Sequence, residues 1–386
     1  MESTEMIKLP DFLANWPWKR ELSPHYEMVK TETDSWVRSF GFFKDAKSQD
    51  AFDRVQTPRL AALAYLHMNK DQLRMASDFI ALLYVYDEYT DVADEQEAQS
   101  LGQIVLDAMY NPDKSRPAGE NPVGELARQF WTRAIPHLSQ TSQEHFLATF
   151  EKYVDSVVVQ TRERRSGNER LLSFDEYWVI RQWNSACPAC FALAELDLYM
   201  PDAVYRHPML EKLRMIAVQM IVASNDVYSY NVEVLRGMGL FNLVTIIMYE
   251  HGLESTEQAI AWIDEWNGQL LVEFLDIRDK IIQGEVTTRE ESRSEEALRQ
   301  VKQYVDILGC WVRANEEWNF ESHRYLGTDG PRVRRERTLA MMPKVDINPK
   351  VLMGYGPCND GTNSERIRQL MDETAVAGMQ ITTKTF

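Results

Sequence analysis

Asn225, Ser229 and Glu233 stand four residues apart in "IVASNDVYSYNVEVLRG" (residues 221–237), an otherwise apolar run. At about 3.6 residues per turn, that spacing puts an amide, a hydroxyl and a carboxylate on one slowly drifting helix face. All three offer oxygen, and hard divalent cations take oxygen ligands. A second acidic set closes another apolar run, "VYDEYTD" (residues 85–91). There Asp87 and Asp91 share a face, while Glu88 is turned from Asp87 by about 100°. Carboxylates at a helix C-terminus oppose the helix dipole, so a bound cation would relieve them. Each stretch alone also fits a solvated helix end. The pair, about 140 residues apart, is more informative than either part.

The elements that must position these groups are helical. Apolar residues recur with helical period from about residue 52 to 323, as in "LAALAYLHMNKDQLRMASDFIALLYVYDEYTD" and "STEQAIAWIDEWNGQLLVEFLDIRDKIIQG". Alternating strand patterns are rare, and no Asn-Gly or Asp-Gly turn separates two β-branched runs. Ser173 opens "FDEYW", and Ser255 with Gln258 makes a capping-box pattern. The expected fold is all-α, a single large helical bundle. Residues 1–25 are expected to form an arm over a bundle of residues 26–326. Residues 327–386 should be loop-rich, with a short helix near 364–374. "CPAC" (187–190) lacks the βαβ context of a redox motif, and Pro188 is expected to kink a helix there.

The chain has 386 residues, 44% of them hydrophobic, enough for a large core, and a net charge of −17. That charge argues against nucleic-acid binding, which needs clustered Lys and Arg; the longest basic cluster, "RVRRER" (332–337), is short. Four cysteines are too few for a disulfide framework, and the seven histidines lack zinc-ligand spacing. No window reaches the length of a membrane span, and the N-terminus lacks a secretory pattern, so a cytoplasmic protein without stable membrane anchoring or an obligate protein partner is expected.

Taken jointly, the motifs resemble those of class I terpene synthases. "DEYTD" resembles that family's aspartate-rich motif, and "NDVYSYNVE" matches its N-D-x-x-S-x-x-x-E motif at Asn225, Ser229 and Glu233. "EYWVIRQWNSACPACF" resembles the segment that carries a diphosphate-sensing arginine, here Arg181. "NEEWNFESHRY" resembles the C-terminal segment ending in Arg-Tyr, here Arg324 and Tyr325. The resemblance runs from about residue 10 to 326 and is strongest to mushroom-type sesquiterpene synthases. There are three departures from the common pattern: Glu88 replaces a second Asp, Val232 a Lys, and Asn184-Ser185-Ala186 a Thr and Gly stretch.

The resemblance implies the class I terpene synthase fold and a lyase that ionises farnesyl diphosphate, cyclises the cation and releases a sesquiterpene hydrocarbon and diphosphate. The resemblance also points to 1,11-closure of the protoilludene type. It implies Mg²⁺, three ions, with Mn²⁺ as a substitute, held by Asp87, Asp91, Asn225, Ser229 and Glu233. Arg181, Arg324 and Tyr325 would grip the diphosphate, and Asn184 and Ser185 would form a trigger segment beside Arg181. Phe79 and Trp318 are the expected cation-stabilising aromatics. The alternatives are a prenyltransferase of the same fold, which would need a second Asp-rich motif, and a non-catalytic isoprenoid-binding helical protein.

Overall fold

The computed structural model describes residues 6–165, 171–286 and 295–340. The helix expected near 364–374 lies outside the described residues. Among the described residues fifteen α-helices follow a short strand β1 (Met6–Lys8): α1 (Tyr26–Arg38), α2 (Ala46–Asp53), α3 (Thr57–Ala64), α4 (Lys70–Thr90), α5 (Glu95–Tyr110), α6 (Val123–Ala134) and α7 (Gln140–Arg165) lead into the second half. There α8 (Phe174–Asn184), α9 (Cys187–Leu193), α10 (Asp202–Tyr205), α11 (Pro208–Leu235), α12 (Leu243–Glu250), α13 (Thr256–Ile282), α14 (Glu295–Glu321) and α15 (Gly330–Glu336) precede strand β2 (Thr338–Ala340).

Start signals in the sequence set the beginnings of four helices. Ser255 and Gln258 form the expected capping box on α13, and Ser173 forms one with Glu176 on α8. Asn69 with Gln72 on α4 and Asp94 with Glu97 on α5 use the same device. Each box satisfies backbone N–H groups that the first helical turn leaves without partners.

The bundle is built around α4, α11 and α14. α11 packs on α13 and α14, α14 on α3, and α3 on α4, while α7 covers α8 and α9. Their facing sides are fully buried: Leu73, Phe79 and Leu82 from α4, Ala217, Val218 and Val227 from α11, Val301, Leu308 and Ala314 from α14. This arrangement brings the C-terminal half of α4, the middle of α11 and the end of α14 to one rim.

Two short strands join the chain's described ends. β1 and β2 pair antiparallel, with Met6 opposite Ala340. Beyond β1, Trp16 donates its indole N–H to the Gly309 carbonyl at 3.0 Å and packs at a tilt against Phe274, with centroids 4.8 Å apart. The neighbouring Trp18 requires glycine at 309, since a Cβ there would lie 2.1 Å from the Trp18 ring.

At the segment 184–188 the structure departs from the expected kinked helix. α8 ends outright at Asn184, and Ala186 adopts a left-handed backbone, φ +56°, that costs a non-glycine residue about 1 kcal/mol or more. Pro188 then sits at the second position of α9, where its missing N–H costs no hydrogen bond. The proline therefore starts a helix; it does not bend one.

Candidate active site

The stripe of α4 that faces a central cavity is Ile80, Leu83, Tyr84 and Asp87, the spacing of one helix face. α4 terminates three residues beyond Asp87, so this carboxylate emerges at the cavity's mouth while the three apolar residues line its wall. Asp91 caps α4 and sits near enough to repel Asp87, although it does not line the cavity. Glu88, turned away as its spacing requires, pairs with Arg324.

Across the cavity, α11 contributes Ile221, Val222 and Asn225. Of the three oxygen donors on this helix, Asn225 alone lines the cavity. Ser229 is fully buried, and the carboxylate of Glu233 accepts a hydrogen bond from Asn242 Nδ2 at 2.9 Å. Arg181, from the last turn of α8, reaches this face. Its Nη2 donates to Asp226 Oδ1 at 2.6 Å and Asn225 Oδ1 at 3.0 Å, and its Nη1 to Asn184 Oδ1 at 3.2 Å. Asn184, Ser185 and Ala186, the break between α8 and α9, all line the cavity beside it.

The turn after α14 closes the rim. Arg324 donates to Glu88 Oε1 at 3.0 Å and Asp87 Oδ2 at 3.3 Å. The Tyr325 hydroxyl accepts from Asn225 Nδ2 at 3.4 Å, which joins the α11 side to the α14 side. The rim residues named from the sequence thus meet at one opening: Asp87, Asn225, Arg181, Arg324, Tyr325, Asn184 and Ser185.

The two expected aromatics do not face the cavity. Phe79 is eight residues before Asp87, which is about 80° around the helix, and it packs among Phe130, Phe146 and Phe150 with centroids 5.0 to 5.9 Å away. Trp318 is buried behind the wall, its indole N–H on the Val55 carbonyl at 2.8 Å, and packs against the lining residues Tyr84 and Tyr325 without lining the cavity itself. The aromatic rings that line the cavity are Tyr84, Tyr153, Trp311 and Tyr325. Cys187 and Cys190 line it too. Burial raises both thiols, Cys187 to about 11, so they remain neutral wall residues.

Three supporting residues were missed in the sequence. Asp226, although inside the quoted N-D-x-x-S pattern, anchors Arg181 and accepts from the Tyr177 hydroxyl and from Leu243 N at 2.8 Å. Tyr177 precedes Arg181 by one helical turn, which was a usable signal. Asn242 carried none beyond its place in "FNLV", because its partners lie on another helix.

The charges at the rim are unevenly matched. Enclosure in the cavity wall, then the neighbouring Asp91, push the Asp87 carboxyl above its ordinary pKa, against the pull of Arg324. Burial, then Asp226, do the same to Glu233, opposed by Asn242 and Arg181. Burial works against the charge of Arg181, but Asp226, Tyr177 and Glu233 more than restore it. Two carboxylates held in this way fit a site completed by cations, and the available donors are all oxygens, the ligand set of a hard dication. Among the described residues no group of three or more His, Cys, Asp and Glu gathers around one point. An ion here would therefore combine one or two carboxylates and the Asn and Ser oxygens with those of its substrate, as Mg²⁺ commonly does with carboxylates and phosphates.

This geometry belongs to a known class. Residues 78–268 match the family described as terpene synthase family 2, C-terminal metal binding. A Delta(6)-protoilludene synthase of Stereum hirsutum is 40% identical over 87% of this chain and 88% of its own length. Sesquiterpene synthase 14 of Postia placenta is 37% identical over 90% of this chain and 95% of its own. Among solved structures, hedycaryol synthase in complex with HEPES superposes with a TM-score of 0.69 at 20% identity, covering 81% of this chain and 98% of that one. An α-eudesmol synthase does so with a TM-score of 0.69 over 79% and 97%. The chain belongs to the terpene synthase family, with the all-α class I fold, and is a metal-dependent terpene cyclase. No helix among the described residues is long and apolar enough to cross a membrane.

Proposed function

We propose that this enzyme converts farnesyl diphosphate into a cyclic sesquiterpene hydrocarbon and diphosphate, using Mg²⁺, three ions in the full complex. The observation that carries the reading is the convergence of Asp87, Asn225, Arg181, Arg324 and Tyr325 on the mouth of a cavity whose inner wall is apolar and aromatic. Relatives named sesquiterpene synthases, at 37% and 39% identity over 90% and 88% of the chain, support the C15 substrate.

Asp87 (with Asp91) on one side and Asn225, Ser229 and Glu233 on the other would hold the cations. Bound there, Mg²⁺ supplies positive charge to the diphosphate as the allylic C–O bond breaks and the electron pair leaves with oxygen. Arg181 and Arg324 present planar forks matched to phosphate oxygens, and Tyr325 adds a hydroxyl donor. Donors aimed where charge develops lower the barrier to ionisation. In exchange for diphosphate oxygens, Arg181 gives up Asn184 and Asn225, so anion arrival is linked to the strained turn at Ala186. Below the mouth, Leu60, Ile80, Leu83, Ile221 and Val222 exclude water from the cation. Tyr84, Tyr153 and Trp311 offer ring faces, each worth about 2 kcal/mol or more to a desolvated cation. The cation closes its ring by attack of a distal double bond, and loss of a proton from carbon gives the neutral hydrocarbon. The names of the relatives favour 1,11-closure of the protoilludene type.

The test is to incubate pure enzyme with Mg²⁺ and each of geranyl, farnesyl and geranylgeranyl diphosphate, then analyse the volatiles. C15 hydrocarbons from farnesyl diphosphate, abolished by excess EDTA, are expected. Longer prenyl diphosphates appearing in place of hydrocarbons would make the protein a prenyltransferase, and hydrocarbon release undiminished in EDTA would refute the metal mechanism.

A further inference from the structure

Asn242 begins α12, yet its side chain is turned back onto α11. It is fully buried, with an extended backbone, φ −137° and ψ 137°. Its Oδ1 accepts from Val244 N at 2.9 Å and so caps α12. Its Nδ2 donates to the Asp226 carbonyl at 2.9 Å and to Glu233 Oε2 at 2.9 Å, with Ser229 Oγ at 3.5 Å. The amide can sit only one way round. A backbone N–H must meet the oxygen, and a backbone carbonyl must meet the nitrogen. Both N–H bonds are thereby directed at α11, one at its main chain and one at the Glu233 carboxylate. The next residue repeats the grip, since Leu243 N donates to Asp226 Oδ2, and Asp226 in turn holds Arg181.

One amide therefore touches three consecutive turns of α11, at 226, 229 and 233. Glu233 lies near the end of that helix, two residues before Leu235, where a long carboxylate would otherwise sample several rotamers. Fixing such a side chain on binding costs about 1.5–2 kcal/mol. A donor that already holds one carboxylate oxygen removes much of that cost before an ion arrives, and outer partners of metal ligands typically carry 10–100-fold in affinity.

We propose that Asn242 is a positioning residue for the metal site: it pre-orders the carboxylate of Glu233, and sets the distance between Glu233 and Ser229, through a single amide anchored on α12. The proposal rests on the reading of Glu233 as a metal ligand. It assigns the start of α12 a part in the metal site although it contributes no ligand itself.

The experiment measures Mn²⁺ binding in the presence of inorganic diphosphate, by the loss of the free-ion electron paramagnetic resonance signal. Wild type, Asn242→Ser, Asn242→Asp, Glu233→Gln and the Asn242→Ser/Glu233→Gln pair are compared. Ser keeps a capping oxygen for α12 but cannot reach Glu233. Asp keeps the cap in the same shape and replaces the donor with an acceptor. Asn242→Ser should weaken Mn²⁺ binding by about 10–100-fold with circular dichroism unchanged, and Asn242→Asp should weaken it further. The turnover lost in Asn242→Ser should shrink as Mg²⁺ is raised, whereas a purely structural defect would lower turnover equally at every Mg²⁺ concentration. In the Glu233→Gln background, Asn242→Ser should have little further effect.

Wild-type Mn²⁺ binding in a folded Asn242→Ser protein would overturn the proposal, as would an undiminished effect of Asn242→Ser when Glu233 is already Gln. Failure of both single Asn242 variants to fold would also count against it, because each keeps the cap, and would make the amide a part of the fold alone. Unchanged Mn²⁺ binding in Glu233→Gln would sink the metal-ligand reading itself, a result distinguishable from the others.

Discussion

Arg181→Lys separates a diphosphate grip from a buried ion pair. The guanidinium makes three hydrogen bonds, at 2.6 Å to Asp226, 3.0 Å to Asn225 and 3.2 Å to Asn184. A lysine ammonium keeps the charge and can keep the Asp226 pair, but loses the two amide partners. At about 1 kcal/mol for each such bond, the folded state should lose no more than about 2 kcal/mol. The reacting complex loses more. A planar fork can donate twice to a diphosphate whose charge is growing, and an ammonium offers one hydrated point in its place. One charge-assisted bond is worth about 1.5–3 kcal/mol, so kcat should fall about 10- to 150-fold. Diphosphate affinity should fall less, since Arg324, Tyr325 and the cations still hold the anion. Steady-state kinetics with farnesyl diphosphate, inorganic diphosphate titration with Mg²⁺, and thermal melting together make the measurement. A kcat within about five-fold of wild type, about 1 kcal/mol of barrier, would reduce Arg181 to a structural partner of Asp226.

Further perturbations probe the rest of the site. Glu233→Gln and Asp87→Asn should each lower turnover by about 100-fold or more with melting temperatures little changed; wild-type turnover in both would return these motifs to solvated helix ends. Trp311→Leu should redistribute the products, as should Cys187→Ser with Cys190→Ser, because all three line the cavity. Trp318→Leu should keep the product pattern and cost stability, up to about 3 kcal/mol, and a changed pattern from Trp318→Leu alone would place that ring back at the substrate. His67, hydrogen-bonded to Asp306, has a raised pKa despite partial burial. A raised folded-state pKa stabilises fully below the unfolded value of about 6.5 and is lost as pH rises through the folded one. The stability gap between wild type and His67→Gln should therefore be larger at about pH 5.5 than at about pH 9; urea melts showing an equal gap would remove this ion pair from the account.

The sequence by itself determined the helical bundle, the starts of α8 and α13 and most of the polar rim. Those are properties of local spacing: Asn225, Ser229 and Glu233 lie on one face wherever their helix goes, and Ser255 finds Gln258 within a single turn. The order of the motifs also carried the family, since metal and diphosphate chemistry restricts which residue types can stand there.

Tertiary structure decided which side of each helix meets the cavity. Phe79 and Ile80 are neighbours on α4, equally apolar, and one joins a cluster of phenylalanines while the other lines the site. Trp318 and Trp311 stand seven residues apart on α14, about 20° from a shared face, so position along the helix separates them: the one nearer Arg324 in sequence lies behind Tyr84 and Tyr325, and the other lines the cavity. A helix's own period leaves its rotation undetermined, and packing fixes it: that of α4 against α1, α3 and α6, and that of α14 against α3 and α11. The same holds for Asn242, which meets Glu233 because the chain turns back after α11. A contact between two helices depends on how both are placed in space, and no spacing within either one encodes it.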